Sequence, residues 1–410
     1  MPVRDLAACR ADFPALQRTV DGRPLAFLDG PAGTQVPRQV IEAITAYYTT
    51  CNANTHGAFV TSRESDAVIW AAREAVAAFL GAPAASCISF GANMTTLAFA
   101  LAHAVGRELG PGDEVVITQL DHEANRGPWL ALAERGVVVK EVPLVAPGVL
   151  DYDAMTSLIG GRTRLVALGM ASNAVGTVND VARARELSRG VGAWLVLDAV
   201  HYAPHFPIDV RELDCDVLLC SAYKFYGPHV GILYARPGLL ERLRTDRLST
   251  QEPVAPYRIE TGTLNHAALA GVKAAVEYIA SFGEGADLGE RLRSAMARIG
   301  AHEGALARRY AEEVAALPGV RVWGAPFAGQ RRAPTVSITI EGVDAGAAAR
   351  FLAERGVAVW DGHFYAARAV EMLGLAERGG LLRAGVSMYT RWEDLSRLLD
   401  GVAALVRGAV

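Results

Sequence analysis

Lysine is almost missing from this chain of 410 residues: of its 40 basic residues only Lys140, Lys224 and Lys273 are lysines. Arginine carries nearly every positive charge, and arginine neither forms an imine nor works as a base near neutral pH. A lysine that persists against such a bias is a candidate for amine chemistry. Cysteine is sparse too. Cys9, Cys51, Cys87, Cys215 and Cys220 stand at scattered spacings with no C-x-x-C pair. An odd, thin set in a long chain argues against a disulfide framework and predicts reduced thiols in a cytoplasmic protein. No Cys or His spacing suits tetrahedral ligation, so no metal site is expected. Charge of one sign is lacking: the net charge is −4, with acids and bases interleaved. That argues against nucleic acid or an anionic membrane as the main partner. Apolar stretches such as 97–105 fall well short of the roughly 20 residues that span a bilayer. Residues 1–13 carry early charges and no apolar core, so no secretory signal is expected.

What is present is globular and long enough for two or three domains at ~150 residues each. From about residue 85 to 235 short apolar segments alternate with helical patterns, which predicts an α/β fold with a mostly parallel seven-stranded sheet. The strands are expected at 87–90, 114–118, 137–142, 165–169, 194–197, 217–220 and 231–234, with helices at 95–105, 126–135 and 181–190. Beyond about residue 265 the pattern becomes that of a smaller α+β unit. It reads as a long amphipathic helix at 288–317, strands at 320–323 and 335–340, a helix at 345–355 and a strand at 382–388. Thr390-Arg-Trp-Glu393 has the form of a capping box for a terminal helix, and 360–373 reads as a mixed aromatic and charged loop. The expected division is a large domain over 21–285 and a small one made of 1–20 with 286–410.

Two strand ends carry the chemistry. Trp194-Leu-Val-Leu-Asp198 stops at an acid, and Val217-Leu-Leu-Cys-Ser221-Ala-Tyr-Lys224 runs into a lysine 26 residues later. Open parallel sheets bind ligands at the carboxyl ends of their strands. A lysine and an aspartate delivered to one edge suit pyridoxal 5'-phosphate, the lysine as its imine partner and the aspartate beside the pyridine nitrogen. Alone, Asp198 reads equally well as a helix cap and Lys224 as a surface charge; the pairing in a lysine-poor chain favours the site. The turn Gly91-Ala92-Asn93 opens a helix whose first N–H groups could cradle a phosphate. His122, after another strand end, could stack on a flat ring.

These motifs, with Ser172-Asn173-Ala-Val-Gly176-Thr177, Glu260-Thr-Gly-Thr263 and Leu382-Arg383-Ala-Gly-Val-Ser-Met-Tyr389, resemble the class V aminotransferases, and within them the group II cysteine desulfurases. The resemblance implies a fold-type-I transferase and a homodimer with shared active sites. Carried over by position, Lys224 is the Schiff-base lysine, Asp198 the partner of the ring nitrogen and His122 the stacking residue. Asn173 and His201 would lie near the ring hydroxyl. Ala92, Asn93, Ser221 and Tyr223 would lie at the phosphate, and Thr263 at the partner subunit's phosphate. Arg383 would grip the substrate carboxylate, with His363 and Tyr365 beside it. The family commonly has Thr, Gln and His where Asn93, His201 and Tyr223 stand. It has the persulfide-forming cysteine where Tyr365 stands and arginine where Trp360 stands. The expected function is therefore chemistry on an amino acid or a cysteine-derived substrate, first a cysteine desulfurase-like or C–S lyase reaction by β-elimination without a persulfide-forming cysteine. Transamination, epimerisation or decarboxylation are the alternatives within the family, and a non-catalytic binding protein is the alternative outside it.

Overall fold

The alternating apolar segments form one sheet because each carries two buried faces. Residues 3–408 are described by the computed structural model. The seven strands are β1 (Ile88–Gly91), β2 (Glu114–Thr118), β3 (Val138–Val142), β4 (Thr163–Gly169), β5 (Trp194–Asp198), β6 (Val217–Ser221) and β7 (Gly231–Ala235), in the order β1-β7-β6-β5-β4-β2-β3. Only β7 runs against its neighbours; the remaining pairings are parallel. Successive side chains enter opposite cores, as strand geometry requires. Leu195, Leu197, Leu218 and Cys220 pack on one face with helix α1 (Val60–Leu80), and Val196, Val217 and Leu219 pack on the other with helix α2 (Met94–Gly106). Burial on both sides explains why these strands are apolar throughout rather than alternating. It also brings the carboxyl ends of β1 to β6 to one edge.

The C-terminal unit is a four-stranded antiparallel sheet of β8 (Val320–Trp323), β9 (Thr335–Ile340), β10 (Trp360–Gly362) and β11 (Leu381–Gly385), in the order β8-β9-β11-β10. Helices α3 (Leu288–Ala315), α4 (Ala345–Ala353) and α5 (Trp392–Val406) cover it. The strand Ala26–Phe27 pairs in parallel with Val357–Ala358, and Ala26 and Leu28 enter the core of this unit. The proposed division, 21–285 against 1–20 with 286–410, therefore has a strand of the first part seated in the second. Residues 1–2 and 409–410 of that division lie outside the described residues.

Four local expectations need correction. The helix expected at 126–135 is two short pieces, Gly127–Leu130 and the 3-10 turn Ala131–Arg135, closed by Gly136 at φ 82°. Pro128 lacks the N–H that would have continued a helix from upstream. The strand expected at 382–388 ends at Gly385, where a Cβ would meet Pro31 Cδ at 2.2 Å. The terminal helix is capped at Arg391, whose N–H donates to Asp394 Oδ2 at 3.1 Å; Thr390 instead accepts from the Ser387 N–H. The segment 360–373 is not a plain loop, because Trp360–Gly362 forms the edge strand β10 and Ala367–Met372 a helix. Among the described residues no helix is long and apolar enough to cross a membrane.

Candidate active site

Five strand ends contribute to one cavity. Asn93 follows β1, Asp121 and His122 follow β2, and Asn173 follows β4. Asp198 ends β5, with His201 just beyond it, while Ser221, Tyr223 and Lys224 come from the end of β6. Of the residues singled out in the sequence, these eight share the cavity lining: Asn93, His122, Asn173, Asp198, His201, Ser221, Tyr223 and Lys224.

The three lysines separate cleanly. Lys140 is paired with Glu114 at 2.6 Å, and Lys273 with Glu277 at 2.6 Å one helical turn away. Lys224 is buried and has no carboxylate partner; its Nζ donates to the carbonyls of Pro31 and Ala32. Burial, and then the charge of Arg383, bring its pKa down to about 7, against the pull of Asp29 and Asp198. A large fraction of this amine is thus unprotonated at neutral pH, the state in which an amine attacks a carbonyl.

Asp198 is buried too, with Oδ1 accepting from the Val200 N–H at 2.8 Å. Burial pushes its pKa up to about 6, while the Val200 N–H and Lys224 pull it down. Beside it stands Asp121, which sequence reasoning does not single out. Its carboxylate accepts from the Gly169 N–H at 3.0 Å and from Asn125 Nδ2 at 2.9 Å. Burial and the charge of Asp198 raise it to about 7. The available signal was its place, directly before His122 at a strand end. His122 Nδ1 accepts from the Ala124 N–H at 2.9 Å, so its proton resides on Nε2. Burial, Lys224 and Arg383 lower its pKa to about 4, which keeps the ring neutral. His201 holds Thr335 Oγ1 through Nε2 at 2.9 Å, and its Nδ1 is buried with no hydrogen-bond partner.

One end of the cavity is built by the start of helix α2. Asn93 caps it by accepting from the Thr96 N–H at 2.9 Å, and Ser221 Oγ accepts from the Met94 N–H at 3.1 Å. Strand β7 passes directly beneath, and a Cβ on Gly231 would meet the Asn93 carbonyl carbon at 2.3 Å. Only glycine permits that approach. Ala92 lies next to Asn93 but outside the cavity lining. Thr263 is also outside. It is exposed on a turn whose base is pinned by the Glu260–Arg73 pair (2.6 and 2.7 Å), and it lines a separate cleft of about 750 Å³ with His56 and Trp70.

The C-terminal unit stands beside the cavity, with Arg383, His363 and Tyr365 outside its lining. Arg383 is buried, donates to the Asn173 carbonyl at 2.9 Å and Asp29 at 3.3 Å, and lies 4.1 Å from the Phe364 ring centroid. The segment from His363 to Tyr365 is tied down on both sides. Asn173 Nδ2 donates to the Phe364 carbonyl at 2.7 Å, and the Glu123 N–H to the Tyr365 carbonyl at 2.8 Å. His363 Nδ1 accepts from the Tyr365 N–H at 3.1 Å, and the Tyr365 ring lies 5.7 Å from that of His122. All five thiols are buried, and among the described residues none lines the cavity. Cys51 packs with Tyr47 and Ala267 in a small core of its own.

A family model for class V aminotransferases matches residues 26–398. The chain belongs to that family. It is 34% identical over 424 aligned positions to a probable cysteine desulfurase of Mycolicibacterium paratuberculosis, covering 99% of this chain and 59% of that protein. A probable cysteine desulfurase of Mycobacterium leprae is similar in the same way, with 66% of its length covered. The chain thus spans about three-fifths to two-thirds of these two relatives. A cysteine desulfurase of Pectobacterium carotovorum is 32% identical, with 97% of each chain covered. Among solved structures, a cysteine desulfurase of Escherichia coli matches with TM-score 0.85 at 30% identity, covering 99% of each chain. The apo cysteine desulfurase of Thermococcus onnurineus matches with TM-score 0.88 at 26% identity, covering 100% of this chain and 99% of that one.

Pyridoxal 5'-phosphate is the cofactor of this fold, and the residues here fit it. The donor set pairs a buried lysine with a buried carboxylate, and the orphaned His201 Nδ1 lacks the partner that a ring oxygen would provide. Gly231 leaves the helix terminus open to close approach.

Proposed function

We propose that this protein cleaves the Cβ–S bond of a cysteine-derived amino acid by elimination, without an enzyme persulfide. The observation that carries this reading is the contrast within one cavity: amine, carboxylate and imidazole are assembled, while no thiol reaches it. Bound pyridoxal phosphate supplies an electron sink for the carbanion at Cα. The protein's own groups do the rest. Arg383 offers a guanidinium fork to the substrate carboxylate, a geometry suited to two parallel hydrogen bonds. Lys224 Nζ, with its depressed pKa, takes the Cα proton and returns it to the sulfur as the Cβ–S bond breaks, so a thiol leaves and water converts the remaining enamine to pyruvate and ammonia. Asp198 holds a negative charge against the ring nitrogen, which offsets the burial that raises its pKa. His122, neutral, covers the ring face. Asn93, Ser221 and the start of α2 take the phosphate, while Asn173 and His201 face the ring oxygen. Tyr365 cannot replace a thiolate, since its phenol carries no sulfur to form a persulfide.

The assembly in this reading is a cytoplasmic homodimer. Phe59, Val60, Trp70 and Leu248 are all exposed apolar side chains, and Trp70 and Leu248 line the cleft of Thr263. A second copy seated there would cover them and bring Thr263 to its neighbour's phosphate. Sedimentation of the holoprotein as a monomer would remove this part.

The test is a variant with all five cysteines replaced, assayed on cysteine and its S-conjugates for pyruvate, ammonia, sulfide and keto acids. Retained release of pyruvate and ammonia is expected. Keto-acid exchange alone would assign transamination instead, and no turnover of any amino acid would leave a binding protein. Loss on replacing Cys51 alone, with a persulfide trapped on Cys51 in the unaltered protein, would restore a relocated desulfurase.

A further inference from the structure

Beside the cavity, though outside its lining, the C-terminal unit carries the aromatic side chains Trp360, Phe364 and Tyr365. Phe364 and Tyr365 both have left-handed backbones, at φ 54° and 59°. For residues with a Cβ each such conformation costs roughly 1–2 kcal/mol. Phe364 recovers it by burial against Arg383. Tyr365 does not: it is 63% exposed, yet its backbone is fixed by Glu123 and His363. Trp360 is the second exposed ring, at 45% exposure, and its backbone is ordinary strand. It stands directly opposite Arg383 in the antiparallel pairing of β10 with β11. Opposed residues in such a pair project from the same face, with Cβ atoms about 5 Å apart. Arg383 reaches the Asn173 carbonyl at the cavity rim, so Trp360 stands beside it one strand outward.

Core packing explains neither exposed ring. Charge does not either. Asp361 alternates to the other face, toward Gly346, and Arg368 is occupied by Glu141 and Glu371. Arg126 is engaged by Glu123 and Glu141, and Arg383, which Asp29 holds at 3.3 Å, is the guanidinium that a substrate α-carboxylate would take up.

We infer that Trp360 and Tyr365 form the side-chain subsite, and that the substrate is an amino acid bearing an aryl or aryl-thioether side chain. This rests on the reading of the cavity as an amino-acid site. A substrate held at Arg383 and Lys224 extends its side chain outward between the two rings, where flat apolar groups gain by stacking. A side chain with a second carboxylate meets no cation there.

The experiment titrates the holoprotein with S-benzyl-L-cysteine, L-phenylalanine, L-cysteine, L-alanine and L-aspartate. Binding is followed by the visible absorbance of the cofactor, and iodide quenching of tryptophan emission is followed in parallel. The aryl amino acids are expected to bind about ten-fold or more tighter than alanine, with aspartate weakest, matching the energy of aromatic contacts. Trp360→Ala and Tyr365→Ala should each abolish most of that preference, and S-benzyl-L-cysteine should protect the quenchable emission that Trp360→Ala removes. Equal affinities for aryl and small amino acids, or variants that weaken all ligands alike, would overturn the subsite while leaving the amino-acid site intact. So would emission from Trp360 that iodide cannot reach in the unliganded protein, since a partner subunit would then cover it. A spectrum that answers no amino acid would instead remove the reading of the cavity itself.

Discussion

At the scale of single residues, the site divides into groups whose chemistry is written in their type and groups whose chemistry comes from burial. Lys224, Asp198 and His122 belong to the first kind. Each sits at a predicted strand end, and a lysine in a chain that avoids lysine marks itself. Asp121 and Asp29 belong to the second kind, because nothing in an isolated aspartate reveals that the fold will enclose it. Asp29 matters through Arg383, which it holds at 3.3 Å. Borohydride reduction of the holoprotein followed by peptide mapping should place the pyridoxyl group on Lys224. Finding it on Lys140 or Lys273 would end the assignment, and both are already engaged with carboxylates. Asp198→Asn should fold and retain cofactor yet lose turnover by roughly 10²-fold or more, because the ring nitrogen loses its anionic partner. Unchanged kinetics in a loaded variant would make Asp198 structural.

Elements were legible where period and burial agree. The seven sheet strands appear within two residues of their expected bounds, because strands buried on both faces leave apolar blocks bounded by turn residues. The segment after His122 was misread as one helix because its apolar spacing is helical, while its Gly127-Pro128 start permits only short turns. The edge strand β10 was missed for a different reason: three residues give no period to read. The crossing of β7 under helix α2 was equally hidden, since no pattern says which strand will pass a helix terminus. Gly231→Ala tests that crossing. Its Cβ would press on the Asn93 carbonyl, so the helix start must shift. The apoprotein should lose about 1–3 kcal/mol of stability, as overpacking usually costs. Pyridoxal phosphate should bind more weakly at equilibrium dialysis. An unchanged melting temperature together with unchanged cofactor affinity would show that the cup tolerates the displacement.

For the whole molecule, the sequence disclosed the α/β architecture and its smaller companion but not their interleaving, since Ala26–Phe27 pairs with a strand more than 300 residues away. The same scale shows what an arginine-dominated charge network does in base. Most ion pairs use guanidinium, among them Arg10–Asp394, Arg126–Glu141 and Arg189–Asp216, and lysine supplies Lys140–Glu114 and Lys273–Glu277. As a class, guanidinium holds its proton to higher pH than ammonium does. The alkaline limit then falls to acids that burial keeps neutral. Cys9 and Cys215 are pushed up to about 12, and Cys220 is raised as well, in each case mainly by burial. Unfolded thiols release their protons near pH 8.5, so the stability these groups confer is whole below about 8.5 and is lost as pH climbs toward their folded values. Lys224 acts in the opposite sense in the apoprotein: its folded pKa of about 7 lies below the unfolded value near 10.4, so stability rises across that window. Three thiols outweigh one amine. Buried Tyr226, Tyr310 and Tyr389, all raised, add a further loss beginning near pH 10. Apoprotein stability measured by urea unfolding should therefore start to decline from about pH 8.5, and Cys215→Ala should flatten the slope by up to about 1.4 kcal/mol per pH unit. A slope that Cys215→Ala leaves unchanged would return the limit to the surface charges.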